Sequence, residues 1–411
     1  MARASRNPVE PSPAGARQGS PGEVFGVFLK LGVTSFGGPI AHLGYFRDEL
    51  VTRRRWIDDA GYADLVALAQ FLPGPASNQV GFALGVIRGN GLVGGLAAWA
   101  AFTLPSALLL LIAALGLAAV AGPAGDGLVH GLKLVAVAVI AQALWGMAGT
   151  LTPDRARAAI ALAAVAIVAV LAGSLGQVAA IAVGAFAGLI ACRDGELAPS
   201  RHPAVPASRR GGAAALVAFA VLLVGVPVVA TVTGDQGLTL FDAFYRSGAL
   251  VFGGGHVVLP LLATRVVDPG WVTEEAFLAG YGLTQAVPGP LFTFAAYLGA
   301  VMAPAPNGLA GAALALVAVF LPGLLLVYGA LPFWAALRAH PLAAAAARGA
   351  NAAVVGILAA ALYDPVWTGA VLTPVDFALA LAGFSALVVW RAPPWVVVGL
   401  LAGAGVVSAV V

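Results

Sequence analysis

Long apolar stretches limit how this chain can fold more than any other feature. Thirteen stretches of about 17–30 residues, each near the length that crosses a bilayer, are separated by short polar segments. They cover 24–45, 61–87, 91–120, 128–151, 156–173, 176–191, 213–233, 241–263, 275–302, 307–336, 342–363, 372–390 and 394–411. Only 9% of the residues are charged, too few to cover the surface of a water-soluble globule. We predict an all-α polytopic membrane protein.

Composition and motifs exclude several classes of function. The net charge is +3 without a concentrated basic face, so nucleic-acid binding is not expected. Cys192 is the single cysteine, so neither an intrachain disulfide nor a thiolate metal cluster can form. The chain lacks the G-x-S-x-G, Walker and H-E-x-x-H motifs. We expect no enzyme activity, no cofactor and no metal.

The chain repeats itself at offsets of 215–218 residues. The sequence FLKLGVTSFGG at 28–38 corresponds to FYRSGALVFGG at 244–254. A tryptophan followed by a glutamine and a Pro-Gly-Pro turn also occurs twice. The matching residues are Trp56, Gln70 and Pro73-Gly74-Pro75 in one half and Trp271, Gln285 and Pro288-Gly289-Pro290 in the other, with Pro105 and Pro322 after them. Two homologous halves are therefore predicted.

The halves divide the chain into five parts. We expect a disordered cytoplasmic tail, a first membrane repeat, a cytoplasmic linker, a connecting transmembrane helix and a second membrane repeat. These parts are 1–21, 22–191, 192–212, 213–240 and 241–411. One unpaired crossing between two halves is what an inverted-topology repeat requires. Inverted repeats are therefore the predicted architecture.

The arginines test the topology. If 24–45 crossed the membrane once, basic residues would lie on both sides of it, against the positive-inside rule. If 24–45 and 61–87 are instead re-entrant hairpins with breaks at the Gly-Gly and Pro-Gly-Pro turns, nearly every loop arginine shares one face. We expect that face, and the N-terminus, to be cytoplasmic. Thirteen simple crossings are the alternative.

Paired helix breaks are the candidate substrate site. Membrane folds with inverted repeats bind substrate near the midplane, between broken helices whose N-termini attract anions. The alternative is that these residues only kink and pack helices, but their recurrence in both halves favours a site. The candidates are Gly37, Gly38, Gln70, Pro73, Gly74, Pro75, Ser77, Asn78, Gly253, Gly254, Gln285, Pro288, Gly289, Pro290 and Thr293.

Charged and titratable residues inside apolar segments extend this set. Lys30 and Arg246 occupy equivalent positions, and a cation inside a membrane is a functional candidate, although each could instead snorkel to the interface. The candidates for proton coupling or for the path into the site are His42, Asp64, Arg88 and His256. Both histidines could also be neutral members of packed turns. Asp64 could pair with the arginines at 53–55.

The motifs resemble the chromate ion transporter family, long-chain two-domain type. In the first half the resemblance lies in FLKLGVTSFGGPIAHLGYFRDELV, RRRWID and QFLPGPASNQVG. In the second half it lies in FYRSGALVFGGGHVVLPLL and QAVPGPLFTFAAYLG. The resemblance covers most of 24–411 and implies a bacterial inner-membrane carrier that exports chromate and confers resistance, with sulfate as the related oxyanion.

Several functions fit these features. The first is a secondary carrier that moves a tetrahedral oxyanion, chromate or sulfate, by alternating access between the repeats, coupled to a proton or a counter-anion. A sulfate uptake carrier, a passive anion channel and a structural or lipid-handling protein are the alternatives. The expected partners are the oxyanion and the lipid bilayer, with a second copy of the chain as a candidate.

Overall fold

The computed structural model describes residues 19–117, 122–171, 173–193, 208–252, 254–334, 336 and 340–410. Nearly all of the predicted N-terminal tail, most of the predicted linker and Gly253 lie outside them. Every regular element in the described ranges is helical, which confirms the predicted fold class.

The first half contains eight helices. They are α1 (Pro21–Thr34), α2 (Gly38–Phe46), α3 (Asp59–Phe71), α4 (Ala76–Arg88), α5 (Leu92–Leu117), α6 (Pro123–Leu151), α7 (Arg155–Val170) and α8 (Gly173–Ala191). A π-helical segment, Arg47–Arg53, continues α2. Helix α9 (Arg209–Thr233) connects the two halves.

The second half repeats the same order. It contains α10 (Gln236–Ala249), α11 (Val258–Val266), α12 (Glu274–Thr284), α13 (Phe294–Val301), α14 (Gly308–Ala330), α15 (Pro341–Ala361), α16 (Pro374–Val388) and α17 (Pro394–Val410). Short 3₁₀ turns, Gly255–Val257 and Leu291–Thr293, precede α11 and α13. Helices α1–α8 thus correspond in order to α10–α17, and α9 has no counterpart.

Two kinds of helix carry the fold. Within the described part of the chain, α5, α6, α8, α9, α14 and α15 are long and apolar enough to cross a membrane. By contrast α1, α3 and α10 have 14, 13 and 14 residues, about 20 Å each against an apolar bilayer core of about 30 Å. The apolar segments 24–45 and 61–87 are each broken, at the predicted Gly-Gly and Pro-Gly-Pro turns, as are their counterparts in the second half.

The two halves interlock through their long helices. Helix α6 packs against α17, and α15 packs against α8. Glycines allow both contacts, because a side chain at Gly131 would collide with the Leu401 carbonyl and one at Gly349 with the Gly184 carbonyl. Gly131 and Gly349 occupy equivalent positions, so each half holds the last helix of the other by the same device.

The broken helices are joined across the halves in the same reciprocal way. The N–H of Gly74 donates to the carbonyl of Val251 at 2.7 Å, and the N–H of Gly289 donates to the carbonyl of Ser35 at 2.8 Å. Each bond links the Pro-Gly-Pro turn of one half to the Gly-Gly turn of the other. This pairing brings all four breaks to one place, which we name the crossing: residues 35–39, 72–79, 250–256 and 285–293.

We predict that Gly74→Ala and Gly289→Ala each destabilise the protein. Their φ angles are +127° and +100°, which L-residues rarely adopt, and such strain costs about 1–3 kcal/mol. A Cβ at Gly74 would also lie 3.0 Å from the Cα of Gly323. Thermal unfolding in detergent should show a lower midpoint for both variants. Gly399→Ala, where a Cβ meets nothing within 4 Å, is the control, and equal midpoints for all three would contradict the prediction.

Candidate functional site

The crossing draws together residues from both halves. A Cβ on Gly38 would lie 3.9 Å from His256 Nε2, and one on Gly255 would lie 3.3 Å from Pro39 Cγ. The first Pro-Gly-Pro turn also contacts α14, where Pro75 Cδ approaches Gly323. Both predicted Pro-Gly-Pro turns and the described Gly-Gly residues are therefore at one location, whereas Gly253 lies outside the described residues.

The half-helices differ systematically in how they begin. Those that start away from the crossing, α1, α3, α10 and α12, are capped by side chains of Ser20, Asp58, Asp235 and Thr273, each accepting from a backbone N–H of the first turn. At the crossing, α2, α4 and the 3₁₀ turns that lead into α11 and α13 have no side-chain cap. The first-turn N–H groups and the positive helix ends at the crossing are therefore left to water or a ligand.

Buried polar side chains line the first-repeat side of the crossing. His42 Nδ1 and Ser77 Oγ lie 3.4 Å apart. The amide of Asn78 donates to Thr103 Oγ1 at 3.1 Å. His42, Ser77 and Asn78 are at most 3% exposed. Burying polar groups in a membrane is costly unless they have partners, so this buried polar cluster is a candidate binding site.

Several buried polar atoms near this cluster make no hydrogen bond within the described structure. Within the described part of the chain, four buried atoms of this cluster lack a hydrogen-bond partner: Ser35 Oγ, His42 Nε2, Asn78 Oδ1 and Gln79 Oε1. The Gln79 amide does fix the local backbone, because it donates to the carbonyls of Pro73 at 2.9 Å and Gly323 at 3.2 Å. Ser35 and Gln79 were not among the sequence candidates, and only their positions beside the predicted breaks could have indicated them.

The second-repeat side of the crossing is more apolar. Leu291, Phe292 and Phe294 are buried there, and the hydroxyl of Thr293 donates to the Pro290 carbonyl at 2.7 Å. Two of the sequence candidates on this side, Thr293 and Pro290, are thus bonded to each other. The crossing therefore has one polar wall and one apolar wall.

Three further candidates are His256 and Gln285, which lie at the crossing, and Gln70, which lies near the end of α3. His256 Nδ1 is hydrogen-bonded to the Tyr281 hydroxyl at 2.5 Å, and Gln285 donates to the Tyr281 carbonyl at 3.3 Å. Gln70, the equivalent of Gln285, has an exposed side chain. The two glutamines are therefore in different environments despite their equivalent positions.

The two equivalent cations are engaged in ion pairs. Lys30 Nζ lies 3.0 Å from Glu49 Oε2, and Arg246 Nε lies 2.6 Å from Asp242 Oδ1. Each cation lies about one helical turn before the end of its half-helix, at Thr34 or Ala249. Lys30 and Arg246 thus flank the crossing, with about half and a third of their side chains exposed.

Asp64 and Arg88 take part in contacts between elements. Asp64 accepts a hydrogen bond from Trp334 Nε1 at 3.0 Å. Arg88 binds Glu23 at 3.1 Å and lies over the Trp56 ring, which joins the start of α1 to the end of α4. The start of the first hairpin and the end of the second are thus on one face, as the hairpin topology requires. We name this the arginine face; it carries Arg47, Arg53, Arg54, Arg55 and Arg88.

The opposite face is acidic, a feature that the sequence reasoning did not use. A cavity of about 540 Å³ there is lined by Asp126, His130, Lys133 and Glu275. His130 Nε2 lies 2.6 Å from Asp376 Oδ1. In the loop after α11, burial and the nearby Asp364 carboxylate raise the pKa of Asp268. Such pairs join residues far apart in the chain, so spacing alone could not reveal them.

Comparison with known proteins gives a consistent result. A family model described as chromate transporter matches residues 22–189 and 238–407. The chain is 32% identical to a chromate transport protein of Pseudomonas aeruginosa, across 92% of this chain and 90% of the relative. It is 30% identical to a probable chromate transport protein of Synechococcus elongatus, across 82% of each. A chromate transport protein of Cupriavidus metallidurans is 28% identical across 82% of this chain and 80% of the relative.

No solved structure matches this chain significantly. The family match covers both repeats, and the first of these relatives matches nearly end to end. The chain belongs to the chromate transporter family.

Proposed function

We propose that this membrane protein is a secondary carrier that exports chromate by alternating access between its two repeats. The observation that supports this most is the crossing itself, where four uncapped helix N-termini meet a cluster of buried hydroxyl, imidazole and amide groups. The substrate name rests on the family and on the named relatives.

A tetrahedral dianion suits this arrangement. Backbone N–H groups at helix N-termini and side-chain donors replace the water that a dianion loses on leaving solution. Ser77 and Asn78 open α4, so their backbone and side-chain groups lie at the same helix end. We expect the substrate to bind against this polar wall, with the Phe292 side as the apolar wall. Sulfate has the same shape and charge, so the same donors would bind it.

Lys30 and Arg246 have a secondary role in this proposal. Because each is partly neutralised by a carboxylate, neither needs to touch the bound anion. Together they keep the potential positive on both sides of the crossing, which lowers the barrier for an anion that approaches from either face.

His42 is the proposed site of proton coupling. It contacts Ser77 on one ring nitrogen, and its other ring nitrogen is buried without a partner in the described structure. A histidine that gains or loses a proton beside the substrate would tie anion binding to the proton gradient. His256 is already bonded to Tyr281 and is the weaker candidate.

We expect everted membrane vesicles to accumulate labelled chromate, with saturation and with a dependence on the proton gradient. Asn78→Ala should reduce the initial rate about 10- to 100-fold, the effect of losing one buried hydrogen-bonding group of about 1–3 kcal/mol. Asn307→Ala, which changes an exposed amide at the start of α14, is the matched control. Labelled sulfate measured in the same vesicles establishes which oxyanion is preferred.

Flux that never saturates and ignores the proton gradient would replace the carrier with a passive channel. Purified protein that binds neither oxyanion would contradict transport of this class altogether.

We predict that Lys30→Ala and Arg246→Ala each lower the initial rate of transport several-fold without lowering expression. The physical reason is the loss of one positive charge beside the crossing, about 1 kcal/mol at a partly exposed position. The matched variants Glu49→Gln and Asp242→Asn keep the cations and remove their partners, and should not reduce the rate. Unchanged transport in both alanine variants would remove the two cations from the mechanism.

We predict that the arginine face is cytoplasmic, as the positive-inside rule requires. In a Cys192→Ala background, Thr52→Cys should react with a membrane-impermeant thiol reagent only from the cytoplasm, and Pro269→Cys only from the other side. Both positions are exposed. Labelling of both from one side would refute the pair of inverted hairpins.

A further inference from the structure

We propose that α3 and α12 are the two gates of the carrier, and that this structure has the α3 gate open and the α12 gate closed. The inference deepens the proposed alternating access and rests on it. It arises from a difference between two helices that the repeat makes equivalent.

Helix α12 is closed against α6. The backbone of Gly282 lies so close to the Leu132 carbonyl that a side chain there would collide with it. Leu278, one turn earlier on the same face, is 0% exposed. The contact seals the route from the crossing toward the acidic face.

Within the described ranges, α3 has no packing contact with α15, the counterpart of α6, that compares with the contact between α12 and α6. Its residues Ala63, Ala67 and Gln70 correspond to Leu278, Gly282 and Gln285, and all three are exposed. They lie four and three residues apart, so they form one continuous face of the helix. The face of α3 that corresponds to the buried face of α12 is therefore exposed.

The chemistry of this surface indicates water and not lipid. Gln70 is next to the break, near the middle of the membrane, where an amide exposed to hydrocarbon would lose its hydrogen bonds at a cost of several kcal/mol. An aqueous cleft that leads to the arginine face satisfies it. The crossing is thus accessible from the arginine face and sealed from the acidic face.

A latch holds α3 in the open position. Asp64 accepts the Trp334 N–H at 3.0 Å, and the Phe71 and Trp334 rings lie 5.7 Å apart. The latch belongs to one gate only, because Asp64 corresponds to Ala279 and Trp334 to Leu117. Loss of this contact favours closure of α3 on α15, in the way that α12 closes on α6.

The crossing connects the two gates. Helix α3 leads into the turn that holds Gly74, and α12 leads into the turn that holds Gly289, and each turn is bonded to the other half. In the second repeat, a Cβ on Gly255 would lie 3.5 Å from Leu291 Cδ2, beside the turn that ends α12. Movement of α3 therefore reaches the turn that ends α12 through the Gly-Gly turn that holds Val251. Closure of α3 and opening of α12 are expected to occur together.

Thiol accessibility tests this directly. Single cysteines at the equivalent positions, Ala63→Cys and Leu278→Cys, are placed in a Cys192→Ala background and labelled in detergent with a water-soluble maleimide at fixed pH. In the resting protein, Ala63→Cys should react at least about tenfold faster than Leu278→Cys. Trp334→Phe, which removes the donor and keeps a ring, should then slow the first and speed the second, so that the ratio of the two rates falls about tenfold, the size expected for one hydrogen bond to a charged group. Trp145→Phe, at a tryptophan that is 71% exposed, is the control and should change neither.

The outcomes separate this inference from the proposed function. Opposite changes at the two cysteines support coupled gates, even if no variant transports an oxyanion, a result that would fault the proposed function alone. Equal resting rates, no response to Trp334→Phe, or faster labelling at both positions would overturn the gate assignment, even where chromate transport is intact.

Discussion

The fold depends on two hydrogen bonds, from Gly74 to Val251 and from Gly289 to Ser35. A helix that stops inside a membrane leaves backbone groups without partners, and no water in the hydrocarbon can replace them. Here each half supplies the missing partner for the other, so neither pair of hairpins is complete alone. The same bonds place four helix N-termini at one point, so the contacts that hold the broken helices also form the proposed binding site.

The symmetry of the backbone is combined with asymmetric chemistry. Equivalent turns open into Ser77, Asn78 and Gln79 in one half and into Phe292, Thr293 and Phe294 in the other. A symmetric site would bind an anion from both sides and hold it tightly in every state. In the proposed carrier, one polar wall allows the anion to stay with the first repeat while the apolar second repeat moves past it, without a large change in hydrogen bonding. This is consistent with a carrier whose binding energy is similar on both sides of the membrane.

The sequence predicted where the helices of this protein break, but not which side chains contact one another. Glycine and proline determine backbone conformation by themselves, so the breaks at 37–38 and 73–75 and their copies could be placed from sequence. The partners of the charged residues could not. Lys30 meets Glu49 only because α2 turns back beside α1, and Asp64 meets Trp334 across 270 positions. Ser35 and Gln79 were missed because the sequence does not show which polar residues become buried at the crossing.

The charges at the two faces complete the physical picture. Arginines gather where the proposed cytoplasmic side lies, while Asp126, Glu275 and Asp268 lie at the other face. Fixed charges cannot drive net transport, because they change no equilibrium between the two solutions. They do change rates: a positive face raises the local concentration of a dianion, and a negative face lowers it. In the proposed export, these charges favour capture of an anion at the arginine face and slow its return after release at the acidic face. The proposed coupled ion sets the direction of net flux, and the charges raise the rate in that direction.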